Sequence, residues 1–156
     1  VSCNEKKQPL FSVLQPAETG INFTNRITET DSINLLTYTY LYNGAGVAAG
    51  DINNDGLEDV FFTANSKAGN KLYLNKGGFQ FEDITVKAGV QGKSDFCTGA
   101  VMIDINADGW LDIYVSTVNI PGKFSSTNEL YINNRNGTFT ESAADYNLNF
   151  RGHTTQ

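Results

Sequence analysis

Gly46-Val-Ala-Ala-Gly-Asp-Ile-Asn-Asn-Asp-Gly-Leu-Glu-Asp-Val-Phe-Phe-Thr63 and Gly99-Ala-Val-Met-Ile-Asp-Ile-Asn-Ala-Asp-Gly-Trp-Leu-Asp-Ile-Tyr-Val-Ser116 align without a gap at a constant offset of 53 residues. Both pass from small apolar residues, through Asp-x-Asn-x-Asp-Gly-x-x-Asp, into a β-branched and aromatic run. Downstream, Lys71-Leu-Tyr-Leu-Asn75 matches Glu129-Leu-Tyr-Ile-Asn133, and Gly78-Phe-Gln-Phe-Glu82 loosely matches Gly137-Thr-Phe-Thr-Glu141. The offset there has grown to 58 or 59, and the extra residues fall in Val118 to Asn128. That Gly/Pro/Ser/Thr stretch reads as a lengthened surface loop, where a repeated unit tolerates insertion.

Each unit reads as four short strands. Val47 to Gly50 suits a closely packed inner strand. Asp59-Val-Phe-Phe-Thr63 and Asp112-Ile-Tyr-Val-Ser116 come next, then Leu72-Tyr-Leu and Leu130-Tyr-Ile, then Phe79 to Ile84 and Thr138 to Ser142. Asn75-Lys-Gly-Gly78 and Asn133-Asn-Arg-Asn-Gly137 supply hairpins. A period near 50 residues with four strands per unit is the signature of a β-propeller blade, so the expected fold is all-β, built of four-stranded antiparallel sheets.

The ends repeat too. Phe11-Ser-Val-Leu-Gln-Pro-Ala-Glu-Thr-Gly-Ile21 echoes Phe81 to Val90, which predicts an outer strand near residues 11–23. Phe150 to Gln156 echoes Phe96-Cys-Thr-Gly-Ala100. The expected organisation is a tether over 1–10 and a partial propeller over 11–156, with repeats over about 44–90 and 97–148 and the start of a third over about 150–156. Two blades and two partial blades cannot close a ring of four to eight, so a larger propeller is expected.

The loops carry the chemistry. Oxygen ligands at alternating positions wrap one hard cation, and calcium accepts the 6–8 oxygens such a loop supplies. By analogy with the EF-hand loop, Asp51, Asn53 and Asp55 give side-chain oxygens, Leu57 its carbonyl, and Asp59 closes the shell directly or through water. The second site is Asp104, Asn106, Asp108, Trp110 and Asp112. Magnesium favours a stricter octahedron with retained waters, and the absence of His and Cys from both sets disfavours zinc and copper. A true EF-hand is excluded, because its twelfth-position glutamate is replaced by Phe62 and Val115 and its flanking helices by Gly-rich and β-branched runs. A plain Asn-Asp-Gly turn would explain one copy better than two in the same strand context.

With these residues in view, the chain resembles the FG-GAP/VCBS repeat family, whose blades bear such loops in integrin α-subunit propellers and many bacterial surface proteins. Tyr42-Asn-Gly-Ala-Gly46 and Leu72-Tyr-Leu-Asn75 resemble secreted or lipid-anchored VCBS repeat proteins of Gram-negative bacteria. The resemblance implies a seven- or eight-bladed propeller in a longer chain, working outside the cytoplasm.

Composition agrees with this. Charged residues make up 18%, aromatic residues 12%, and 15 glycines stand against 3 prolines, which suits short strands and tight turns. The net charge of −6 equals the contribution of the six loop aspartates and disfavours nucleic acid as a partner. Cys97 lies in an apolar stretch and reads as a small buried hydrophobe. Cys3, in Val1-Ser2-Cys3 before a polar run, resembles the lipidated cysteine of a bacterial lipoprotein; a loose cysteine at a frayed terminus is the other reading. His153, the single histidine, lacks a triad partner and reads as structural or surface. Glu82/Asp83 and Glu141/Asp145 read as charges on outer-strand edges. Tyr38, Tyr40 and Tyr42 alternate as on one strand face, in core or cross-strand packing or lining a sugar or protein contact.

The expected function is therefore a scaffold binding two Ca2+, with no catalytic residue, that recognises protein or glycan. It would be a lipoprotein anchored through Cys3, at the outer face of the outer membrane or in the periplasm, beside an outer-membrane protein. The alternative is the propeller portion of an extracellular polysaccharide-degrading enzyme with its catalytic residues outside this chain.

Overall fold

Short β-branched and aromatic runs pair antiparallel with their sequence neighbours to build the strands. The computed structural model describes residues 10–66 and 69–154. Within them, β1 (Val47–Gly50), β2 (Asp59–Phe62), β3 (Lys71–Asn75) and β4 (Phe81–Asp83) form one antiparallel sheet in sequence order. β5 (Cys97–Ile103), β6 (Asp112–Thr117), β7 (Glu129–Asn133) and β8 (Phe139–Glu141) form a second with the same order. Hairpins close where Asn and Gly supply the bends: Lys76 N–H reaches Gln80 O at 2.8 Å, and Asn134 N–H reaches Thr138 O at 3.0 Å.

The two sheets meet through opposite faces of the same repeat. In the first, Ala48 pairs with Phe61 and Phe61 with Leu72, so all three point to one face, and all are buried. In the second, the inward face carries Ile113, Val115 and Tyr131, together with Ala100. At the offsets of 53 and 58, Phe61 corresponds to Tyr114 and Leu72 to Leu130, so the corresponding face of the second sheet points away from the first. Sheets stacked this way keep one orientation from unit to unit, as blades do.

The approach is closest at Gly46, where a Cβ would lie 2.4 Å from Ala100 N and 2.6 Å from Gly99 Cα. Glycine is required there because backbone meets backbone. Cys97 is a free thiol in this interface, as its apolar setting predicts, and burial pushes its pKa up to about 12.

The link into each sheet repeats as well. Asn70 N–H donates to Gln91 O and Cys97 N–H to Ala64 O; equivalently, Asn128 N–H donates to Phe150 O and Thr154 N–H to Thr117 O. Residues 150–154 thus lie on the second sheet as 91–97 lie on the first.

Three local expectations change. The outer strand expected near 11–23 is absent: Pro16–Thr19 is a single helical turn, α1, closed by left-handed Gly20 (φ 78°). It matches α2 (Thr85–Ala88) with left-handed Gly89, so the echo is real. However, residues 11–13 have no described strand beside them to pair with, as β4 has in β3. Ile21–Asn25 instead covers the first sheet, Phe23 stacking on Phe62 with centroids 4.9 Å apart. Tyr38, Tyr40 and Tyr42 sit on consecutive turns rather than a strand, because the Asn34 side chain accepts the amides of Leu36 and Thr37 and starts the turns. Tyr38 is buried while Tyr40 and Tyr42 are exposed. Finally, the Val118 to Asn128 insertion is more than a surface loop. Its Phe124 joins Tyr38, Leu41, Phe96 and Val118 in a second apolar cluster.

Candidate metal centres

Each acidic loop leaves its sheet at the end of an inner strand and re-enters on the ninth-position aspartate. In the first loop, Asp51 accepts Asp55 N–H on Oδ1 (3.0 Å) and Gly56 N–H on Oδ2 (2.7 Å). Asp55 Oδ1 accepts Leu57 N–H at 2.9 Å, and Asn53 Oδ1 accepts Asp55 N–H at 3.2 Å. The second loop repeats this bond for bond: Asp104 accepts Asp108 and Gly109 N–H at 2.9 and 2.8 Å, Asp108 accepts Trp110 N–H at 2.9 Å, and Asn106 accepts Asp108 N–H at 3.0 Å. The backbone repeats too, with left-handed residues at Asn54 and Gly56 and at Ala107 and Gly109. Ala107 (φ 57°) gains nothing from its own side chain in that conformation, so the loop as a whole imposes it.

Asp59 and Asp112 are fully buried. Asp59 takes Ile52 N–H on Oδ2 (3.0 Å) and Asn75 N–H on Oδ1 (2.7 Å), tying the loop to both β2 and β3. Asp112 does the same with Ile105 (3.1 Å) and Asn133 (2.8 Å). Burial raises the pKa of both carboxyls above the ordinary value against the pull of these amides. Asn75 and Asn133, read from the sequence only as hairpin residues, return the contact: their Nδ2 groups donate to Glu58 O at 2.8 Å and Leu111 O at 3.1 Å. Their shared position in both repeats was the available signal. Asn133 Nδ2 also donates to Ile52 O (2.8 Å), and Asn54 Nδ2 to Gly109 O (3.2 Å), so the loops are neighbours on one edge.

Among the described residues, a basic side chain reaches only the second loop. Arg135 hydrogen-bonds Asp108 Oδ2 at 2.9 Å, holding that carboxyl below the usual range, whereas the equivalent hairpin position beside the first loop is Gly77, which has no side chain to offer.

The donor set fits a hard cation in kind: three carboxylates, an amide oxygen and a carbonyl per loop. A carboxylate has about four lone-pair sites, so the Asp51 and Asp104 oxygens keep capacity beyond the amides they accept. The side chains do not converge by themselves. Among the described residues, no group of three or more His, Cys, Asp or Glu is placed to hold a metal ion. Binding would draw the aspartates inward, with Asn53 or Asn106 and the Leu57 or Trp110 carbonyl completing the set.

The remaining sequence candidates lie elsewhere. Cys3 lies outside the described residues. His153 is exposed and bridges Val118. Asp83 pairs with Lys71 at 2.8 Å, and Glu141 accepts Ala143 N–H at 2.9 Å, both on outer strands.

Antiparallel four-stranded meanders stacked face to back, each with an acidic loop after its first strand, define blades of the β-propeller class. Residues 51–115 match the model of the FG-GAP-like repeat, and the chain carries a repeat of that family. The chain is also similar to cartilage acidic protein 1 of Xenopus tropicalis, at 31% identity over 114 residues. That alignment covers 70% of this chain and 17% of the relative, so the chain spans less than a fifth of it. FG-GAP repeats are typically extracellular and point to adhesion or recognition. No helix among the described residues is long and apolar enough to cross a membrane.

Proposed function

We propose that the chain is a calcium-binding propeller scaffold that works by recognition rather than catalysis. The observation that carries this is the pair of acidic loops with the same hydrogen bonds and the same left-handed residues at positions four and six. Two loops 53 residues apart in sequence share that geometry, with oxygen donors at the alternating positions a hard cation takes, which supports a common ligand. Asp51, Asn53, Asp55, Leu57 and Asp59 hold one Ca2+, and Asp104, Asn106, Asp108, Trp110 and Asp112 the other. The ion neutralises three carboxylates per loop and so stabilises the folded state. Calcium is millimolar outside cells, where such sites fill, which agrees with an extracellular repeat.

The test is thermal unfolding in EGTA and after calcium is restored, with terbium luminescence as a second readout. Trp110 is the single tryptophan and lies in the second loop, so sensitised emission reports that site. A melting temperature indifferent to EGTA and calcium, with no sensitised terbium, would refute the reading.

The finer location is a bacterial cell surface, with Cys3 lipidated and an outer-membrane protein alongside. One acyl chain holds a protein only marginally, so a second chain or a membrane partner is required. Cys3→Ala followed by fractionation decides this: unchanged retention in the outer membrane sinks the anchor.

A further inference from the structure

We propose that the concavity between the Tyr38–Gly44 turns and the start of β5 binds a neutral saccharide, one pyranose ring stacking on Tyr40. The proposal rests on the recognition reading and names its ligand chemistry. The concavity measures about 530 Å3, within the range of small-ligand sites. Its floor is Tyr38, Phe96 and Val118, all buried; Tyr40, Asn43 and His153 form the rim, all exposed. It lies at the end of the sheets opposite the acidic loops, beside Gly44 before β1 and Thr98 in β5.

Three features select the ligand. No aspartate, glutamate, lysine or arginine lines this site, although the protein carries a net charge of −6 and each of four other concavities has at least one such side chain. A charged ligand would find no counter-ion here. Secondly, Tyr40 is 62% exposed as a residue, yet its ring is braced edge-on by Tyr38, with centroids 6.0 Å apart, and Tyr38 is itself held by Phe96 and Phe124. A fixed aromatic face with negative π density suits the C–H face of a pyranose. Thirdly, the polar groups divide by role. The Thr98 hydroxyl is committed to Thr154 O at 2.7 Å, whereas the Asn43 amide and His153 imidazole make no side-chain hydrogen bond among the described residues. Both stand at the rim, free to exchange bonds with ring hydroxyls.

The experiment uses the full-length protein at saturating calcium, screened against neutral, sialylated and sulfated oligosaccharides and followed by calorimetric titration of the best neutral ligand. Tyr40→Ala is expected to weaken binding about tenfold or more, and Tyr40→Phe to stay within about threefold, because the ring does the work. Asn43→Ala weakens binding, and Tyr42→Ala, exposed but outside the concavity, leaves it unchanged. These variants alter exposed side chains, so folding is preserved and checked by melting. Binding of no neutral saccharide, binding of acidic glycans alone, or full affinity in Tyr40→Ala would each overturn the proposal. EGTA-dependent melting of the same samples judges the calcium reading independently, so either can fail alone.

Discussion

Asp59→Ala should destabilise the protein even in EGTA, where no calcium site can be at stake. Asp59 is fully buried, and its two oxygens serve the amides of Ile52 and Asn75 at 3.0 and 2.7 Å. Truncation leaves both donors without an acceptor, at roughly 1–3 kcal/mol each. Part is offset, because the buried carboxylate is itself strained by desolvation and its pKa is already raised. A net loss of about 3 kcal/mol follows. For a chain of this size that is a fall in Tm of roughly 6–12 °C. Asp59→Asn keeps one acceptor and should lose about half as much. Asp55→Ala is the contrast, since Asp55 is exposed and its bonds stay within the loop, so it should matter only when calcium is present. The assay is thermal circular dichroism of the three variants in EGTA and then in calcium. If Asp59→Ala and Asp55→Ala melt together in EGTA, the ninth aspartate is no structural tie and the reasoning fails.

Three further outcomes follow from single contacts. Gly46→Ala forces a methyl against the β5 backbone and should cost about 1–3 kcal/mol in urea denaturation, whereas Gly50→Ala meets the ends of the Leu111 and Met102 side chains and should cost clearly less. At Asp83 burial raises the pKa, but hydrogen bonds from Lys71 and Thr85 outweigh it and leave it below the ordinary value. Its contribution is therefore present above the unfolded pKa near ~3.9 and lost as pH falls through the folded value. Acid titration of Asp83→Asn should show that loss removed, at about 0.2–1 kcal/mol for a half-exposed pair. Arg135→Gln frees Asp108 and should raise terbium affinity at the Trp110 loop severalfold, as read by titrated luminescence.

How far the fold was legible follows from the range of the interactions that made it. The loops, strands and hairpins depend on residues within a few positions of each other: Asp51 with Gly56, Lys76 with Gln80, Asn-Gly bends between β-branched runs. Such patterns survive in the sequence, and the repeat doubled each signal, so the blade and its acidic loop could be read directly. The sequence could not say which face of a blade meets its neighbour, since the first three strands of each blade carry apolar residues on both faces. That choice rests on Phe61 and Leu72 sharing one buried cluster with Ile113 and Val115, which lie 41 to 54 positions away in the chain. The same is true of Asn133, which crosses 81 positions to the Ile52 carbonyl. Residues 11–13 have strand-like composition, but a strand exists only where another offers its amides and carbonyls. The tyrosines from Tyr38 to Tyr42 alternate as a strand would, until the Asn34 side chain captures two amides and turns the chain. What was local in the chain was therefore written in its sequence. The blade interface, the second apolar cluster and the aromatic concavity came from tertiary structure, because they join segments that only folding brings together.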